Sequence, residues 1–255
     1  MLERLDLRRR ARAAGIHLLI SAAVAAAAAA LVFGVWFPDI YRQVAGGRDL
    51  FILVTSVDMV HGPLLTFAVF NLTKGWSHLR RDLVVIGVIQ LAALVYGLVT
   101  VYGARPVAMV FESDRFRVVT VAQVEMQELP QARPEYRQLP LTGPWLLGAR
   151  PPKPGDEANE ALFKGLRGID RAQRPLFWQP YADSAAEALG RARPLAALLA
   201  KYPDLAGDVK GRLQALKVDE ASAKFLPLMG RGGDWVVILD SAGRLAHYVP
   251  VDGFF

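Results

Sequence analysis

The stretch that decides the fold is Leu50-Phe-Ile-Leu-Val-Thr-Ser-Val-Asp58-Met-Val-His61-Gly62-Pro63-Leu-Leu-Thr-Phe-Ala-Val-Phe-Asn-Leu72. About 20 mainly apolar residues are enough to cross a bilayer as a helix. Near its middle this run carries Asp58. A carboxylate at that depth costs at least about 2.5–3.5 kcal/mol, so it is expected to face protein or water rather than lipid. His61 follows three residues later, on the same helical face. Gly62 and Pro63 come next, and the proline removes a backbone donor and invites a kink. An acid, an imidazole and a weakened hydrogen-bond ladder so close together point to a site for a partner.

Two further uncharged runs flank this one, at 16–36 and 83–103. Residues 1–15 form a basic tail with Arg4, Arg8, Arg9, Arg10 and Arg12 against Glu3 and Asp6. A basic start and an apolar stretch also describe a cleavable signal peptide. That reading is disfavoured because the run exceeds the usual core of about 7–15 residues. The loop at 37–49 is balanced, with Arg42 and Arg48 against Asp39 and Asp49, whereas 73–82 carries Lys74, Arg80 and Arg81. The excess of positive charge on the first and third polar segments predicts a cytoplasmic N-terminus and a cytoplasmic second loop. Everything after 103 then lies on the far side, the periplasm if the membrane is a bacterial inner membrane. Trp36, Tyr41, Trp76 and Tyr102 fall where an aromatic belt is expected. At 1.5 Å per residue, Asp58 lies about 12 Å and His61 about 16 Å from the outer boundary. By the same measure Tyr96 lies about 10 Å and Gln90 about 19 Å deep. Tyr96 therefore matches Asp58 in depth and Gln90 lies near His61, so a pairing between the second and third spans is expected.

The composition agrees with this division. Of 255 residues 53% are apolar, concentrated before 104. The net charge of +6 raises nucleic acid as a partner, but the basic residues sit beside the apolar runs, as topology signals do. No nucleic-acid partner is expected. The chain has no cysteine, which removes disulfides, thiolate metal sites and a cysteine nucleophile.

Beyond 103, the runs 107–111 and 116–121 read as a hairpin around Ser113-Asp114-Arg115. Between 129 and 155 stand Pro130, Pro134, Pro140, Pro144, Pro151, Pro152 and Pro154. Such density argues against a regular helix or a central strand. The segment is expected to be an extended excursion that wraps the domain, with a flexible linker as the alternative. Helical patterning follows at 156–164, 184–190, 194–201 and 204–216, then strand-like runs at 225–229, 235–240 and 245–249. The expected fold class is therefore α+β. An N-terminal three-helix transmembrane bundle (16–36, 50–72 and 83–103) precedes a periplasmic α+β domain at 104–255, with terminal antiparallel hairpins flanking helices.

Catalytic constellations are scarce. His247 is the one histidine after 103, and no phosphate loop, zinc pattern or nucleophile elbow occurs. Asp170, Asp183, Asp234 and Asp240 read as caps, turn residues or solvated charges. No enzyme activity, cofactor or metal is expected. For Asp58 and His61 two readings stand side by side: an internal hydrogen-bonded pair that fixes helix packing, or a docking site for another transmembrane helix. Proton or ion conduction is a third, and three helices without inverted repeats suit it poorly.

The string 56–66 (Ser-Val-Asp-Met-Val-His-Gly-Pro-Leu-Leu-Thr) resembles a known family, the type IV pilin accessory proteins of the TfpX/TfpZ group. So do Arg80-Arg81-Asp82-Leu83, Gln90-Leu91 and Tyr96-Gly97. The likeness runs on through Ala104-Arg105-Pro106 and Phe111-Glu112-x-Asp114-Arg115-Phe116. Leu141-Thr142-Gly143-Pro144, Gly168-Ile169-Asp170 and Phe225-Leu226-Pro227-Leu228 extend it over nearly the whole chain. The resemblance implies an inner-membrane, chaperone-like factor that supports type IV pilin stability or pilus assembly. The implied partners are a major or minor pilin, membrane lipid and other pilus assembly proteins. The candidate partner-binding residues are Asp58, His61, Gly62, Pro63, Gln90, Tyr96 and Arg105. Arg105 and the hairpin at 107–121 are expected to meet the pilin head, with edge-strand pairing as one mode. The rival expectation is a membrane-tethered periplasmic sensor or ligand-binding protein, which requires an apolar pocket within 105–255.

Overall fold

A backbone surrounded by lipid must close its hydrogen bonds internally, and the first hundred residues do so as helices. The structure, a computed structural model, describes residues 2–70 and 75–255. Asn71 and Leu72 of the second expected span, with Thr73 and Lys74 of the basic loop, lie outside the described residues. Two compact units result: Met1–Trp36 with Gly47–Gly103, and Phe37–Gly46 with Ala104–Phe255.

In the first unit, α1 (Leu2–Leu31) loosens into a π-helical turn at Val32–Trp36. After a short helix α2 (Tyr41–Val44) come α3 (Gly47–Val69) and α4 (Trp76–Gly103). The first span with its π-turn, α3 and α4 are each long and apolar enough to cross a membrane. Helix α1 begins well before 16 and α4 before 83, because loss of charge marks where lipid starts, not where a helix starts. Arginine and leucine are good helix formers, and nothing breaks the chain there. Helix α3 packs against both α1 and α4. Gly97 of α4 lies against Val54 of α3 so closely that a Cβ would overlap it, the small-residue contact by which membrane helices approach. Phe33 meets Phe51 edge to face at 5.0 Å, and Trp36 meets Tyr102 at 5.4 Å. Pro63 stays inside α3; lacking an N–H, it leaves the carbonyl of Met59 without its helical donor.

The second unit is a mixed sheet with helices packed on it. The expected first hairpin is β1 (Pro106–Glu112) and β2 (Arg115–Thr120), antiparallel with Glu112 opposite Arg115. Ser113 takes the positive φ the turn needs, 56°. Strand β3 (Trp145–Ala149) follows, then α5 (Asp156–Leu166), β4 (Trp178–Pro180), α6 (Ala185–Arg191), β5 (Arg193–Pro194), α7 (Leu195–Lys201) and α8 (Ala206–Ala215). The chain ends in β6 (Lys224–Gly230), β7 (Gly233–Leu239) and β8 (Leu245–Val249), an antiparallel meander. The strand order is β4-β3-β1-β2-β6-β7-β8, with β5 pairing β6.

Two expectations are corrected here. The proline-rich excursion does contain an inner strand: β3 runs parallel to β1, Ala108 opposite Trp145, with β4 on its other side. It fits because 145–150 is free of proline, so every ladder donor is present. The rest of the excursion wraps the domain in 3-10 turns at Met126–Gln131 and Pro134–Tyr136, and it buries Ala132 and Tyr136 in the core with Val110, Phe177 and Trp178. Edge pairing at 107–121 is likewise ruled out. Strands β1 and β2 are inner strands, flanked by β3 along Ala108–Phe111 and by β6 at Phe116 and Arg117.

A second core forms where α7 and α8 cover β6–β8, with Leu195, Leu198, Leu213, Phe225, Val236 and Ile238. The loop Phe37–Gly46 also belongs to this unit rather than to the helical one. The Gly232 amide donates to the Val44 carbonyl at 2.9 Å. A Cβ at Gly230 or Gly232 would overlap the backbone of Val44 or Gln43. Tyr41, expected in an aromatic belt, is instead held in this unit with its hydroxyl 3.9 Å from the Met109 sulfur. Burial, with Tyr248 and Asp39 nearby, pushes its phenol well above the usual range.

Candidate functional site

The three long helices bring one polar cluster together. His17 of α1 lies between Thr66 of α3, at 2.5 Å from Nδ1 to Oγ1, and Gln90 of α4, at 2.6 Å from Nε2 to Oε1. A carboxamide oxygen only accepts, so Nε2 carries the hydrogen, and in the neutral ring Nδ1 accepts from the Thr66 hydroxyl. The other end of Gln90 donates to the Asp58 carbonyl at 3.5 Å. Gly62 makes this possible, since a Cβ there would occupy the place of the Gln90 side chain.

Beside this cluster α1 and α4 line a cleft of about 260 Å³ floored by α3. Ile20, Ser21, Val24 and Ala25 form one wall, Gly87, Leu91 and Leu94 the other, with Thr55, Asp58 and Met59 below. The lining is mainly apolar. Among the described residues the Asp58 carboxylate makes no hydrogen bond and no ion pair. The cleft therefore offers one acidic acceptor in apolar surroundings, where a cationic or donor group from an incoming chain would be worth most.

Of the expected site residues, Asp58, Gly62 and Gln90 converge here. His61 does not pair with Asp58: its ring lies 3.0 Å from the Val57 carbonyl of its own helix and is exposed. The internal Asp58–His61 pair is thereby corrected, and the bond that joins helices is made by His17. Pro63 stays in α3 a residue beyond Gly62. Tyr96 is 76% exposed. Arg105 belongs to the other unit, where it is 2% exposed and donates to the Pro140 carbonyl. It ties down the proline-rich segment. His17 was missed because both of its partners lie on other helices. A polar ring within a charge-free run was the signal that could have found it.

In the second unit the strongest electrostatics are structural. Arg174, 1% exposed, bonds Glu128 at 2.8 Å and stacks 4.7 Å over Phe177, while Lys164 reaches Glu128 at 2.9 Å. Asp170 caps the turn Arg171–Gln173, and Asp240 accepts from the amides of Ala242 and Arg244, as turn residues should. His247 sits on β8 opposite Ile238, held below its usual pKa first by burial and then by Arg212. The cleft of about 440 Å³ between α5 and the β1–β2 turn is lined by Glu112, Arg115, Arg117, Asp170 and Arg171 on one side and by Ala158, Ala161, Leu162 and Leu166 of α5 on the other. Charged and apolar groups share its lining.

Comparison with known proteins adds a second line. A family model described as fimbrial assembly protein FimB matches residues 5–46. Two relatives from Dichelobacter nodosus, "Fimbrial assembly protein, serogroup E1" and "Fimbrial assembly protein, serogroup I", are each 40% identical over 246 residues. In both cases 96% of this chain and 96% of the relative are covered. A third, "Fimbrial assembly protein, serogroups C1 and C2" from the same organism, is 43% identical over 122 residues, 48% of this chain and 93% of its own length. No solved structure matches.

Proposed function

Because the chain belongs to the family of fimbrial assembly proteins, we propose that it supports pilus assembly by holding pilin in the membrane before it is built into a fibre. The resemblance to type IV pilin accessory proteins points the same way. The observation that carries the reading is the cleft among the three long helices, with Asp58 on its floor and no hydrogen bond to its carboxylate among the described residues. A pilin has an apolar N-terminal helix that waits in the membrane and a globular head on the far side. Its helix enters the cleft sideways from the lipid, and a donor or cationic group on it pairs with Asp58. The second unit meets the head. The N-terminus lies in the cytoplasm and residues 104–255 in the periplasm of a bacterial inner membrane, on the charge asymmetry of the polar segments. Exposed Leu19, Leu53 and Val88 suit contact with lipid. The protein acts as a chaperone and not as an enzyme.

Asp58→Asn and Asp58→Leu test this. Both variants are expected to insert normally and to recover several-fold less pilin on co-purification. Unchanged recovery with both would overturn the cleft proposal.

A further inference from the structure

Helix α5 carries its large apolar side chains on the outside. Its inward face is mixed: Ala158 and Ala161 are half-buried, Ala161 against the core, while Glu157 holds Arg150 at 2.7 Å and Lys164 reaches Glu128 at 2.9 Å. Glu160, itself exposed, reaches Arg174 at 3.1 Å. Its outward face carries Asn159 among large apolar side chains, Leu162 and Phe163 each 62% exposed and Leu166 77% exposed, with Leu162 and Leu166 also lining the cleft beside the helix. A surface helix ordinarily turns its apolar stripe to the core, and clustered large apolar side chains with a polar rim mark an interface.

The charges at the two ends of α5 say what fits there. At 3.6 residues per turn, Asp156 and Arg167 lie about three turns apart on the same flank of the stripe. Both are exposed, and neither side chain has a hydrogen bond or ion pair among the described residues. A second α5 running antiparallel and crossing near Leu162 brings Asp156 of each copy against Arg167 of the other. The apolar stripes meet at the same time. A two-fold contact demands such a self-complementary patch. We propose that α5 is a self-association face and that its partner is a second copy of this chain. The proposal is independent of the intramembrane cleft.

Since the chain lacks cysteine, Leu162→Cys in the full-length protein in detergent reports the approach directly. Mild oxidation is expected to give a disulfide-linked dimer, with about tenfold less from Gly211→Cys on α8. In sedimentation experiments Asp156→Arg or Arg167→Asp alone is expected to weaken dimerisation about tenfold, and the two together to restore it. If a charge variant fails to fold, the cysteine measurement still decides. Equal crosslinking at the two positions, or a dimer indifferent to the single swaps, would overturn the proposal. So would protection of the Leu162→Cys thiol from a water-soluble maleimide in liposomes at dilutions where the protein is monomeric, since the stripe would then lie in lipid.

Discussion

An imidazole joins a hydroxyl and a carboxamide from two other helices, and the carboxamide lies where a Cβ on Gly62 would be. Gly62→Ala is expected to cost about 1–3 kcal/mol, because the Gln90 side chain must leave its place. Adding Gln90→Ala is expected to recover much of the loss, as read by thermal unfolding in detergent. The buried Glu128–Arg174 pair makes a contrasting case. Glu128→Ala leaves a guanidinium that is 1% exposed with Glu160 as its remaining carboxylate and is expected to cost about 3 kcal/mol. The double change Glu128→Leu with Arg174→Met should cost much less, because no charge is left without its partner. Asp58, Gly62 and Gln90 could be read from the sequence, since a polar group in an apolar run is expensive and its depth can be counted. The orientation of Tyr96 could not, because depth along a helix does not give rotation about it. His61 misled for a related reason. A shared face permits a bond to Asp58, but the carbonyl one turn back was nearer to hand.

Among the elements, α5 is attached to its unit by ion pairs as well as by the packing of Ala161, and the ion pairs make its docking dependent on pH. The Glu157 carboxyl is held down at about 2 by the Arg150 guanidinium and then by the Lys153 amide. A carboxylate lowered in the folded state contributes stability that is complete above its unfolded pKa, about 4.3. That contribution fades as pH falls toward about 2. Amide protection along Asp156–Leu166 should therefore weaken over that window, and Glu157→Gln should remove the Glu157 share of the pH dependence. The start of α5 was legible because an acidic first turn marks it, whereas its end lies at Leu166, beyond the Gly165 expected to stop it. Strand β3 was not legible, since a proline count over a long window hides the short proline-free stretch that becomes a strand. The parallel pairing of β2 with β6, Phe116 opposite Leu228, joins segments too far apart for periodicity to connect them.

For the whole molecule, a division near 103 is visible in hydropathy alone, and the charge asymmetry of the polar segments makes a prediction about sidedness. A reporter active only in the periplasm should work when fused after Phe255 and fail when fused ahead of Leu2. The loop Phe37–Gly46 escaped this reading because its mixed charges look like any short connection, while its docking depends on the glycines of a distant β-turn. Its placement matters for anyone who cuts or recombines the protein. A fragment beginning at Ala104 would lack part of its own fold, leaving the Gly232 amide without its acceptor and Met109 without its phenolic neighbour. A hybrid that takes its C-terminal half from one relative should take residues 37–46 from that same parent. Otherwise two sequences that never adjusted to each other must share one surface.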